Sequence, residues 1–207
     1  MAPTLAELIA PAHTALILQE MQEGVVGKES ALPALAAEVQ SSGVVANCAA
    51  LARAARAVGV HVIHCTAENR ADFKGANHNA RLFNAMLKSP VVLIPGSPAA
   101  QPLAEIGVEP EDLVLPRSHG LSPMMGTHLD AVLRNLGVAT VVGVGVSLNM
   151  AILNLTLDAV NLGYQVVLPR DATVATPKEY GDILIQHTLG LVSTVTTTAA
   201  VIETWKG

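Results

Sequence analysis

Aromatic side chains are scarce in this chain of 207 residues: one Trp, two Tyr and two Phe. The apolar half of the sequence, 51%, is therefore aliphatic, mostly Ala, Val and Leu, which suits a parallel sheet buried on both faces. Charge is also sparse, at 14% with a net −5. No basic stripe exists to neutralise phosphates, which excludes nucleic acid as a partner. Only two cysteines occur, Cys48 and Cys65, without paired spacing, so there is no disulfide framework; this points to a reducing, cytoplasmic setting. The opening MAPTLAELIAPAH lacks the basic end and continuous apolar run of a secretory signal. No repeat, linker or low-complexity tract interrupts the chain, so residues 1–207 read as a single domain, long enough to bury a full core.

One stretch imitates a membrane span. Between Arg134 and Asp158 there is no charged residue, enough to cross a bilayer. It contains three glycines and the asparagines Asn135, Asn149 and Asn154. Its first half is β-rich and its second half helical, which fits a buried strand followed by a buried helix; no membrane partner is expected.

What is present alternates strand with helix. Thr14–Gln19 and Val60–Cys65 read as strands around a helix at Val44–Val58, whose Ala50, Ala54 and Ala57 give a small packing face. Ala80–Leu87 reads as a helix, Val91–Ile94 as a short strand or extended run, and Leu113–Pro116 as a strand. His128–Leu136 is a helix stopped by Gly137, and Ala139–Val144 the next strand. Asn149–Asn161 is a helix, Gln165–Leu168 a strand, Lys178–Leu189 a last long helix, and Ser193–Thr198 a final strand. This order predicts an α/β fold: a doubly wound, mainly parallel, Rossmann-like sheet with helices on both faces.

Ligands in such sheets sit beyond the carboxyl ends of the strands, near the switch in strand order. The residues at those ends are Gln19, Glu20 and Gln22; His64, Cys65 and Glu68; Arg117 and His119; and Ser147 to Ala151. The last group lies at a strand-to-helix turn, where an α/β enzyme would place its nucleophile. The position that ought to matter there is an alanine, Ala151.

The run THLDAVLRNLGVATVVGVGVSLNMAILNLTLDAVNLGYQVVLPRDAT resembles the isochorismatase-like, or cysteine hydrolase, superfamily. ALILQEMQ is similar to that family's first strand, and LVLPRSHG to the segment carrying its lysine. The match runs from about Thr14 to Ile202 and is most specific over Thr127–Asp171. The family's chemistry is nucleophilic: a thiolate attacks, an aspartate takes and returns the proton, and a lysine holds the charges. By resemblance the aspartate falls on Glu20, the lysine on Arg117 and the cysteine on Ala151, so all three are substituted. The resemblance also implies main-chain oxyanion donors at Ser147 and Ala151, a non-proline cis bond at Val146–Ser147, and a homodimer or homotetramer. Alanine excludes covalent thiol catalysis at this position. Arg117 can pair with an anion but cannot exchange a proton as a lysine does.

Two functions stay open. One is a non-covalent hydrolase of a small molecule, with Glu20 as general acid or base and water as the attacker, as the cysteine-lacking isochorismatases imply. The other is an inactive family member that binds a ligand or acts as a scaffold. In both, Glu20, Arg117 and Ala151 form the centre, with Gln22, Ser147, Asn149 and His119 as substrate-binding candidates. Neither a cofactor nor a metal is expected. Gly143 and Gly145 lack the third glycine of a dinucleotide fingerprint, because Leu148 stands there. GVSLN departs from a serine elbow at Asn149. His61 and His64 have opposite strand parity, so they face opposite sides. Cys48 and Cys65 read as small buried hydrophobes. The polar segment ENRADFKGANHN, Glu68 to Asn79, reads as an exposed loop, with a lid or subunit contact as its functional alternative.

Overall fold

The computed structural model describes residues 3–207. Seven strands join one sheet: β1 (Thr14–Gln19), β2 (His61–Ala67), β3 (Leu113–Arg117), β4 (Thr140–Val146), β5 (Gln165–Pro169), β6 (Thr173–Val174) and β7 (Thr194–Thr196). Their order is β3-β2-β1-β4-β5-β7, with the short β6 on β4, and every pairing is parallel. The helices are α1 (Leu5–Leu8), α2 (Glu23–Val26), α3 (Pro33–Ser41), α4 (Val44–Ala57), α5 (Arg81–Met86), α6 (Leu129–Asn135), α7 (Leu153–Asn161), α8 (Lys178–Leu184), α9 (Gly190–Val192) and α10 (Thr198–Lys206). The α/β expectation therefore holds.

Strand alternation divides the core in two. Leu16, Leu18, Val62, Val142 and Val144 pack on the side of α3, α4 and α10. Ala15, Ile17, Ile63, Val141 and Val166 pack on the side of α6, α7 and α8. β1 and β4 are buried at every position, as their unbroken aliphatic runs require. The chain winds outward from β1 through β2 to β3, then restarts at β4 and winds the other way. The switch in strand order thus lies between β1 and β4, where a crevice opens. Gly145 permits their close approach. It has a φ of +104° and faces Gln19, whose backbone a Cβ would strike.

Two of the expected elements differ from the sequence reading. Ser193–Thr198 is not one strand: β7 is only Thr194–Thr196, and Thr198 opens α10. Thr197 is the cap, its hydroxyl accepting from Ala200 N–H at 3.2 Å. Asp171 then accepts from Thr198 N–H at 2.8 Å, and Trp205 Nε1 donates to Ile9 O at 2.9 Å, which docks α10. Val91–Ile94, read as a short strand or an extended run, joins no strand, and Leu93 is buried with its carbonyl accepting from Asn69 N–H at 2.8 Å. The helix expected at Lys178–Leu189 is interrupted by a π-helical turn at Ile185–Leu189. Among the described residues no helix is long and apolar enough to cross a membrane.

Candidate active site

Glu20 follows β1 directly and adopts a φ of +51°, a left-handed conformation that costs a non-glycine residue about 1–3 kcal/mol. Two main-chain bonds hold it there: Glu20 N–H donates to Cys65 O and Gln22 N–H to Glu20 O, both at 2.9 Å. The turn sends the carboxylate toward the end of β3, where Arg117 Nη2 donates to Glu20 Oε1. The same oxygen accepts from Gln19 Nε2 at 2.9 Å. Arg117 Nη1 donates to Gly120 O at 2.8 Å, and Gly120 N–H donates to Asn77 Oδ1 at 2.8 Å. The loop after β3 is therefore wrapped around the guanidinium and tied to the polar segment before α5. Both charged side chains are nearly buried, with 12% and 10% of their surface exposed.

Beyond β4, Val146–Ser147 is cis, as the resemblance implied. Leu148–Ile152 forms a π-helical turn in which the N–H groups of Met150 and Ile152 both donate to Ser147 O at 3.1 Å. This turn brings Ser147, Asn149 and Ala151 to one wall of a cavity of about 360 Å³ whose lining also includes Glu20, Arg117 and His119. Asn149 Nδ2 donates to Thr176 O at 3.4 Å, while its Oδ1 is buried without a partner. His119 is exposed, with Nε2 at 3.2 Å from Gly126 O.

Gln22 does not join them. It is fully buried and does not line the cavity. Its Oε1 accepts from Ala67 N–H at 2.7 Å, and its Nε2 donates to Ala67 O at 3.0 Å and to Ala100 O at 2.7 Å. The substrate-binding expectation for Gln22 is thus corrected: its amide clamps the end of β2, and its polar atoms are spent on backbone.

Cys65 is buried, in keeping with its reading as a small hydrophobe. Burial pushes its thiol up to about 12, with Arg117 lowering it and Glu20 raising it, so a thiolate is not available at neutral pH. His61 is exposed, whereas His64 is buried with Nε2 3.0 Å from Asp112 Oδ2. Among the described residues no three His, Cys, Asp or Glu side chains converge as a metal site would require. Glu68, one of the expected strand-end residues, lines the cavity with Phe73 and Asn77 of the polar segment, and Phe83 of α5, which has no role in the sequence reading, joins them.

This sheet order, with a cavity at its switch point lined by a charged pair and a strand-to-helix turn, defines an α/β protein of the doubly wound, parallel type. The chain matches the isochorismatase domain over residues 14–200 and belongs to that family. It is 27% identical over 202 residues to the ureidoacrylate amidohydrolase RutB of Enterobacter sp. (strain 638), covering 90% of this chain and 87% of that protein. Its structure is similar to an isochorismatase family protein from Desulfovibrio vulgaris subsp. vulgaris str. Hildenborough, with a TM-score of 0.79, 27% identity, and coverage of 95% of this chain and 100% of that one. It also shares its fold with a cysteine hydrolase from Pseudomonas syringae pv. phaseolicola 1448A, with a TM-score of 0.79, 23% identity, and coverage of 99% and 98%.

Proposed function

We propose that this protein binds a small molecule in the cavity and does not carry it through a covalent intermediate. One observation carries the reading: at the position in the strand-to-helix turn that matches the family's nucleophile the cavity is lined by the methyl of Ala151, and the carboxylate of Glu20 in the same lining is already paired with Arg117. On the family resemblance these are the positions of the nucleophile, the proton carrier and the lysine. A methyl cannot attack, and a guanidinium does not exchange protons near neutral pH. Hydrogen-bonding groups remain in the lining at Ser147, Asn149 and His119, and they suffice to orient a ligand.

A second reading has one observation in its favour. Glu20 Oε2 makes no hydrogen bond to the described residues, so this oxygen is free to meet a water or a substrate. Glu20 would then act as general acid or base in a non-covalent hydrolysis. The RutB name, an amidohydrolase, supports the hydrolase class for such a reaction.

Screening carboxamides, N-carbamoyl compounds and vinyl ethers for ammonia or carbonyl release separates the two. The expected result is no turnover by the wild-type chain. Turnover that disappears in Glu20→Gln would establish the second reading and overturn the first. Ala151→Cys serves as the companion variant, with gained amidase activity expected if main-chain donors still frame this wall.

A further inference from the structure

We infer that the cavity selects an uncharged ligand whose apolar body lies against α5, and that it discriminates against carboxylates; this rests on the reading that the cavity binds a small molecule. The electrostatic part starts from the lining. Its fixed charges are Glu20, Glu68 and Arg117, one cation against two carboxylates. The cation is already engaged, with Nη2 on Glu20 and Nη1 on Gly120 O, while Nε is buried without a partner. An arriving carboxylate would have to displace Glu20 or lie near Glu68 with no free positive charge to meet it. Like-charge juxtaposition of this kind opposes binding.

The apolar part comes from α5. Leu82, Phe83 and Met86, with Leu87 just beyond the helix, form a stripe that lines the cavity. No residue of α5 is fully buried, so this stripe has no packed protein core beneath it. Asn84 Nδ2 donates to His78 O at 3.2 Å, within the same segment. Phe73 joins the wall, so both phenylalanines of the chain line this one cavity. The lining also includes Leu93 and Leu121. An amphipathic helix facing a cavity of about 360 Å³ asks for an apolar occupant, and the volume fits a small molecule.

The test is calorimetric titration of the full chain with linear primary carboxamides, butanamide to octanamide, beside the carboxylates of the same lengths. Amide affinity is expected to rise about threefold to fourfold per methylene until the cavity is filled. Each carboxylate is expected to bind roughly tenfold or more weakly than its amide. Glu20→Gln, which leaves the guanidinium charge uncompensated, should narrow that gap, and Phe83→Ala should weaken octanamide several-fold more than butanamide. Carboxylates binding as well as amides, affinity independent of chain length, or no amide binding would each overturn the inference. So would a second copy of the chain covering α5, seen as a dimer in light scattering that Leu82→Asp dissociates while chain length has no effect. Ammonia released from amides that keep these preferences would defeat only the non-turnover reading. Absent preferences with no ammonia would defeat only this inference.

Discussion

The protein holds two carboxylate–guanidinium pairs against the same edge of its sheet, and they are built differently. Asp112, just before β3, has a side chain 1% exposed, and both of its oxygens are used. Oδ1 accepts from Arg56 Nε at 3.1 Å, and Oδ2 accepts from Arg56 Nη2 at 2.6 Å and from Glu109 N–H at 3.0 Å, with His64 Nε2 at 3.0 Å. Glu20, just after β1, spends only Oε1 on Arg117 and Gln19 and turns toward a cavity. Burial runs in opposite directions in the two halves of the contrast: Asp112 is more buried than Glu20, while Arg56 is more exposed than Arg117. Saturation separates the two pairs. The first pair joins α4 to β2 and β3 with no acceptor oxygen left over, while the second leaves Glu20 Oε2 without a hydrogen bond to the described residues. Half-satisfied polar groups cost stability, so a pair left open at the switch point of a doubly wound sheet supports the proposed ligand-binding role over a role in holding the fold.

Breaking the saturated pair should give the largest effect. Asp112→Ala leaves the Arg56 guanidinium and the Glu109 amide without their acceptor, and removing one partner of a buried pair typically costs about 3–5 kcal/mol. Urea unfolding would show the loss as a lower midpoint at unchanged slope. A loss below about 1 kcal/mol would show that this clamp is no stronger than a surface pair and would erase the contrast.

The same clamp predicts an acid sensitivity. His64 is held below its ordinary value, chiefly by burial, which outweighs the opposing pull of Asp112. Asp112 is held below its own by its bonds to Arg56, Glu109 and His64, against the upward push of burial. The two work in one direction. Below the ordinary histidine value of about 6.5, the unfolded chain takes up a proton that folded His64 resists, so stability falls as pH falls. Asp112 adds to the loss at lower pH, when the unfolded carboxyl protonates before the folded one. His64→Gln should flatten the upper part of that slope, which for one proton does not exceed about 1.4 kcal/mol per pH unit. An unchanged slope between pH 7 and 5 would assign the sensitivity to other groups.

The central strands were legible because β1, β2, β4 and β5 are runs of Val, Ile, Leu and Ala that only a doubly covered sheet can bury. α10 was not, because Thr194, Thr196, Thr197 and Thr198 are β-branched and read as strand, whereas the Thr197 hydroxyl turns the last of them into a helix start. α3 was also missed: its buried face is only Leu35, Ala36 and Val39, too small for a clear periodicity. In the site, Glu20 and Arg117 are 97 residues apart, and nothing local announces their pairing. Resemblance to a family put them together, and the turn at Glu20 does so physically. Gln22 shows the reverse failure. Its place after a strand was right for a ligand contact, but a tertiary backbone contact 45 residues away claimed its amide. α5 was expected as a helix, yet no local pattern says that its apolar stripe would face a cavity instead of a core.

The smallest stability effect should come from Glu20→Gln, and its size decides whether the open pair differs in kind from the closed one. A glutamine oxygen can still accept from Arg117, which keeps its bond to Gly120 O, and the cavity admits water to solvate the remaining charge. The expected cost is therefore about 1 kcal/mol, near that of one ordinary hydrogen bond and well under the loss at Asp112. The backbone conformation at Glu20 does not change the comparison, because glutamine and glutamate face the same left-handed penalty there. Paired unfolding curves for Glu20→Gln and Asp112→Asn, both isosteric amide replacements, put the two sites on one scale. Equal losses would mean that the Glu20–Arg117 pair holds the crevice together as the Arg56–Asp112 pair holds the sheet edge. Its unused oxygen would then be an accident of packing, with no bearing on a ligand.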